Sequence, residues 1–155
     1  MILGIDPGIA RCGYGIVDDT TMICYGCIET SKAKRDANRL LEIYTAFSVL
    51  MKTYHPTECA IERVFFAKNI SSALNVAEVR GVILLCAEQH HLSITEYTPN
   101  QVKQTITGDI RADKHQMQDA IMHMFGLPDI PKPDDAADAL SVAATHKMFI
   151  LYQSK

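Results

Sequence analysis

Three strand-like runs crowd into the first 28 residues, and the turns between them leave no room for a crossover. Ile2-Leu-Gly-Ile-Asp6 ends at Pro7-Gly8, Cys12 to Val17 follows at once, and a polar turn from Asp18 to Thr21 leads to a third run, Met22 to Ile28. Parallel neighbours need a connection of about a dozen residues or more, so runs this close pair as an antiparallel meander. Beyond a polar, basic stretch over 30–36 the period changes. Leu40, Leu41, Tyr44, Phe47, Leu50 and Met51 recur at helical steps, and that helix stops near Tyr54, before Pro56. Cys59 to Glu62 reads as a strand, and Ser71 or Ser72 caps a helix to about Gln89 whose second half, Val82 to Ala87, is apolar all round and expected to be covered on more than one side. Leu92 to Tyr97 is a fifth strand. Pro99 opens a short helix, 107–113 is a polar loop, and helices follow over about 114–125 and 134–150. The order β-β-β-α-β-α-β-α-α describes an α/β domain with a mixed five-stranded sheet flanked by helices, one unit over 1–155.

Composition agrees with a folded domain. Of 155 residues, 48% are hydrophobic and 21% charged, which excludes a disordered tail or a small disulfide scaffold. No apolar run reaches the roughly 20 residues of a membrane helix, and MILGIDPG lacks the layout of a signal peptide. The expectation is a soluble, cytoplasmic chain. Five cysteines are then reduced thiols, and Cys24 and Cys27, at strand spacing, point to opposite faces rather than forming a metal or redox pair. The six histidines show no ligand spacing and are read as non-catalytic, His146 being the one that could share a face with Asp138.

The chemistry lies in the acids. Asp6 and Glu62 end short apolar strands, and Asp135 and Asp138, three apart on the last helix, project from one face beside the small residues Ala136, Ala137 and Ala139. Taken singly, each has an ordinary explanation: a turn residue for Asp6, a solvent-facing strand end for Glu62, a helix cap for Asp134 or Asp135. Asp138 lies too deep to cap. Carboxylates that converge repel unless cations neutralise them, and hard divalent ions with oxygen ligands suit such a set. Two such ions are a standard device for phosphodiester hydrolysis. The net charge is −3, so affinity for DNA would depend on a local patch, with Arg63, Lys68, Arg80, Lys103, Arg111 and Lys114 as candidates. Phe65 and Phe66 stand among basic residues beside Glu62, where an aromatic could stack on or wedge between bases.

Ile2-Leu-Gly-Ile-Asp6-Pro-Gly8 with Gly13-Tyr-Gly15, Ala60-Ile-Glu62 followed by Val64-Phe65 and Ala67-Lys68-Asn69, Arg80-Gly81, Gln101-Val-Lys103, Ala112-Asp-Lys114 and Asp135-Ala-Ala-Asp138 resemble, in order, the RuvC family of Holliday junction resolvases. The resemblance implies an RNase H-like fold, a homodimer, and paired symmetric nicking of four-way DNA junctions with two Mg²⁺ per active site, for which Mn²⁺ can substitute. It implies that Asp6, Glu62, Asp135 and Asp138 are the catalytic metal-binding carboxylates. Phe65 would disturb base stacking near the cut, and Lys103 and Lys114 would hold the scissile backbone; Lys68 and Arg111 are expected DNA contacts on the strength of their charge alone. Partnership with the RuvA–RuvB branch-migration motor, in recombination and repair, comes from the same source. Three features depart from the family: Ile110 where a second glycine is common, Phe66 beside Phe65, and no long basic tail before Lys155. A sugar-kinase or actin-like ATPase domain opens with a similar Gly-Ile-Asp turn, but no second phosphate loop is present. An inactive junction-binding module would have no use for four crowded acids.

Overall fold

The computed structural model describes residues 1–19, 21–63 and 70–153. Its sheet is built outward from β1 (Ile2–Asp6), whose residues Ile2 to Ile5 are buried and demand cover on both faces. The antiparallel strands β2 (Arg11–Asp18) and β3 (Thr21–Glu29) extend one side of β1. The parallel strands β4 (Glu58–Glu62) and β5 (Ser93–Tyr97) extend the other, giving the order β3-β2-β1-β4-β5. The meander and the mixed sheet are those expected from the sequence.

Helices α1 (Asp36–Tyr54) and α2 (Ile70–Gln89) make the parallel crossovers and cover one face, with Ile43, Phe47, Val79 and Ile83 packed on Leu3 and Ile5. Helices α3 (Pro99–Thr107), α4 (Lys114–Met124) and α5 (Asp134–Gln153) cover the other, where Val102, Ile121 and Leu140 join Ile2 and Ala60. Helix boundaries follow local chemistry. Thr98 with Gln101, and Asp113 with Gln116, form reciprocal capping boxes that start α3 and α4. Gly108, at φ 78°, ends α3 in the left-handed conformation a glycine adopts freely. Two expectations need correction. Helix α2 already begins at Ile70, so Ser71 and Ser72 lie inside its first turn rather than ahead of it. Its apolar second half is not enclosed either: Leu85 is 56% exposed, and Leu74 further up the helix 60%. All five cysteines are free thiols.

Helix α5 lies closer to the sheet than ordinary side chains permit. A Cβ added to Gly4 would stand 2.3 Å from the carbonyl oxygen of Ala139 and 2.7 Å from the Cβ of Ala143. One added to Gly13 would stand 1.9 Å from the carbonyl oxygen of Asp135. The strands offer bare backbone and the helix answers with Ala136, Ala139 and Ala143, all fully buried. Gly81, inside α2, meets nothing within 4 Å of its imagined Cβ. The two positions should respond oppositely to the same change. Gly4→Ala is expected to cost about 2–3 kcal/mol through overpacking, whereas Gly81→Ala should gain about 0.5–1 kcal/mol of helix stability. Chemical denaturation of both variants checks this, and equal effects would refute the close-packing account.

Candidate active site

The register of the central strands brings the first two acids together. Ile5 pairs with Ile61 in the parallel β1–β4 ladder, so Asp6 and Glu62, one residue further on, emerge side by side at the same strand ends. Asp6 also pairs across to Gly13 on β2. Because Gly13 has no side chain, the first turn of α5 rests on that pair and carries Asp135 and Asp138 to the same place.

The four carboxylates feel one another. Burial, then the charges of Glu62, Asp138 and Asp135, push Asp6 up to about 8. Burial and Asp138 push Glu62 up to about 7, with a hydrogen bond from Asp6 pulling the other way. Asp138 is raised as well, by burial first and then, against the pull of Lys114, by Asp135 and Asp134. Among the described residues, however, no three Asp, Glu, His or Cys side chains close into a ready-made metal cage. Oδ2 of Asp135 is buried and accepts no hydrogen bond, although Nε of Arg11 lies 3.1 Å away. A buried carboxylate oxygen without a hydrogen bond, beside the raised Asp6, Glu62 and Asp138 in an all-oxygen set, fits a hard divalent cation.

Cations rim these acids. Lys114 Nζ lies 2.9 Å from Asp134 Oδ2 and 3.8 Å from Asp138 Oδ2. Burial works against its charge, but the bond to Asp134 and the nearby aspartates outweigh that and hold its pKa above the ordinary value. Asp134 is committed to α4, accepting from Lys114 and from Gln118 at 2.9 Å, and its pKa is lowered accordingly. Lys103 and Lys114 line an open cleft of about 210 Å³ together with Glu62 and Asp138. Lys103 donates to the Ala112 carbonyl at 2.7 Å, so one of its protons already braces the 108–113 loop. Arg111 is outside the cleft lining, 87% exposed, with its backbone N–H bonded to Asp109 at 2.8 Å. Ile110 is exposed on the same loop. Arg63 and Arg80 converge on Glu96 instead. Phe65, Phe66 and Lys68 lie outside the described residues.

Sequence reasoning did not single out Arg11. It follows the Asp6-Pro-Gly turn, and only the folding of α5 onto Gly13 brings Asp135 to it. His146 bridges two partners on the sheet, with Nδ1 2.7 Å from Tyr97 Oη and Nε2 2.7 Å from Glu58 Oε2.

A mixed five-stranded sheet with acids at two adjacent strand ends and on the covering helix, facing a lysine-lined cleft, belongs to the RNase H-like class of metal-dependent nucleases. The family model described as crossover junction endodeoxyribonuclease RuvC matches residues 2–146. The chain belongs to that family, whose nucleases require a divalent metal. The crossover junction endodeoxyribonuclease RuvC of Caldicellulosiruptor saccharolyticus is 49% identical over 160 residues, covering 98% of this chain and 96% of the relative. The enzyme of the same description from Heliobacterium modesticaldum is 46% identical over 147 residues, with 92% and 91% covered. Among solved structures, T. thermophilus RuvC in complex with Holliday junction substrate superposes with a TM-score of 0.92 at 26% identity, covering 99% of this chain and 96% of that one.

The raised carboxylates fix the sign of the pH response. In the metal-free fold Asp6 and Glu62 keep protons that the unfolded chain gives up near pH 4, so their contribution to stability is lost as pH rises toward about 7 to 8. In EDTA, the melting temperature should therefore fall between pH 5.5 and 8.5 by several degrees more for the wild type than for Asp6→Asn. A divalent cation would bind the ionised forms, so adding Mg²⁺ should raise the melting temperature more at pH 8 than at pH 6. Parallel pH curves for the two proteins would contradict the raised pKa of the buried Asp6.

Proposed function

We propose that the whole chain, 1–155, works as one nuclease domain that resolves four-way DNA junctions by paired, symmetric nicks, with Asp6, Glu62, Asp135 and Asp138 holding two Mg²⁺ ions. The observation that carries this reading is a set of converging acids in which burial, then neighbouring carboxylate charge, raises Asp6 and Glu62, with Glu62 and Asp138 lining a cleft that holds two lysines. That is a strained arrangement for a binding module and a useful one for a metal-dependent hydrolase. When bound, divalent ions supply neutralisation, an activated water and a clamp on the attacking and leaving oxygens. The protein's own residues do the rest. Asp6 and Glu62 give up their protons on loading. Asp135 would offer an Oδ2 that accepts no hydrogen bond, and Lys103 and Lys114 would hold the phosphate backbone on the open side of the cleft. Lys103 meanwhile keeps the 108–113 loop, with Ile110 and Arg111 exposed on it, presented to DNA.

Symmetric nicks need two active sites, hence a homodimer. The exposed Leu41 and Val49 on α1 and Leu74 and Leu85 on α2 give apolar surface for one. Family membership supports work with the RuvA–RuvB motor. No helix among the described residues is long and apolar enough to cross a membrane, in keeping with action on DNA in the cytoplasm.

The test is incubation with a synthetic four-way junction, an equal-length duplex and Mg²⁺, beside EDTA. Paired nicks confined to the junction are expected, and Mn²⁺ should substitute. Asp6→Asn should lower cleavage by about 10³-fold or more while leaving junction binding intact, and unchanged turnover would remove the metal role. Phe65→Ala should bind junctions but cut poorly; normal cutting would take the unstacking role away from Phe65.

A further inference from the structure

Asp135 is a metal ligand in the reading above, yet its buried Oδ2 already has a cation beside it, Nε of Arg11 at 3.1 Å. The contact lacks hydrogen-bond geometry, so the guanidinium holds the carboxylate by charge rather than by a directed bond. Arg11 is 54% exposed. A guanidinium has five N–H donors in a planar fork that matches phosphate, more than one carboxylate oxygen can take up, and its Nε stands 3.1 Å from Asp135 Oδ2. Its place is set by the strand: Arg11 opens β2, two residues before the Gly13 on which the turn carrying Asp135 rests.

Two like charges cannot share one small carboxylate without mutual repulsion. A divalent ion on Asp135 therefore removes the attraction that keeps Arg11 there. Lys114 is shared between the neighbouring Asp134 and the cleft, so a DNA phosphate drawn to the same ion offers the released guanidinium an anionic partner at that rim. Resting on the nuclease reading, we infer that Arg11 is an exchange residue: it neutralises Asp135 while no metal is bound, and moves to a backbone phosphate of the cleaved strand when metal takes its place. Arg11 is thus a competitor of the metal and a ligand of the substrate, and removing it should push the two affinities in opposite directions.

The experiment uses the full-length protein, with Arg11→Gln to remove the charge and Arg11→Lys to keep it. Without DNA, the Mg²⁺ concentration giving the half-maximal shift in melting temperature at pH 8 should fall about 2- to 5-fold in Arg11→Gln, the worth of a half-exposed ion pair. Junction affinity, measured in Ca²⁺ as a hard cation of the same ligand preference, should weaken about 3- to 10-fold, with a slope of log K against log salt shallower by about one. In EDTA the same substitution should leave junction affinity and slope unchanged, because Arg11 then stays with Asp135. Arg11→Lys should restore the slope. An unaltered or weaker Mg²⁺ midpoint, or an equal loss of junction affinity with and without Ca²⁺, overturns the exchange. Failure of the wild type itself to respond to Mg²⁺ or to prefer a junction over duplex overturns the underlying nuclease reading instead, so the two failures are distinguishable.

Discussion

The contact between α5 and the sheet is made by backbone and methyl groups, and the active site depends on it. Gly4 and Gly13 on adjacent strands present no side chain, and Ala136, Ala139 and Ala143 return almost none. A helix packed on a sheet through ordinary side chains would ride several ångströms higher, and its carboxylates would then face solvent above Asp6 instead of joining it. Close approach is thus the means by which a residue near the start of the chain meets two residues more than 125 positions later.

That approach has a cost in charge. Asp6 and Glu62 are largely withdrawn from water and Asp138 partly so, and the pKa of each is driven upward first by burial. The core on either side supplies what the acids do not: Leu3 and Ile5 point into one layer, Ile2 and Ala60 into the other, all nearly or fully buried. Positive charge then enters from the rim through Lys114 and Arg11. Both are tethered at one end and open at the other, so local neutrality is kept by groups that can withdraw. A fixed internal salt bridge would quiet the same acids but would compete permanently with metal.

Much of this was legible in the sequence, for identifiable reasons. Short turns force a meander, helical periods stand out over α1, and acids ending apolar runs at Asp6 and Glu62 mark strand ends where the sheet stops and chemistry can start. What stayed hidden depends on tertiary meetings. Arg11 reads as a surface charge until α5 brings Asp135 to it. Arg39 also looks like a helix surface residue, yet it is 6% exposed, with Nε donating to Thr30 at 2.9 Å and one terminal nitrogen without a partner. Thr30 in turn donates to the carbonyl of Ile9 at 2.5 Å, so this buried arginine braces the loop just after Asp6. The enclosure expected around Val82 to Ala87 is incomplete in one chain because periodicity reports an apolar surface, not what covers it.

Small-residue contacts let two elements approach but do little to fix their register, since a ridge of methyl groups slides easily over bare backbone. Directional bonds must set the position of α5, and the chain Tyr97–His146–Glu58 supplies them. An ionised Glu58 can only accept, so a neutral His146 would donate from Nε2 and leave Nδ1 to accept from the Tyr97 hydroxyl. The network is anchored at opposite ends of two neighbouring strands: Glu58 opens β4, and Tyr97 closes β5 in register with Glu62. His146 lies two helical turns from Asp138, so bonds made away from the cleft help set how far along the sheet Asp135 and Asp138 sit. Ser141 and Thr145 turn their hydroxyls back onto carbonyls of the helix, at 2.8 Å each, and make no rival claim on the sheet. Proximity therefore comes from what the glycines and alanines lack, and alignment from one buried histidine that a search for catalytic spacing passes over.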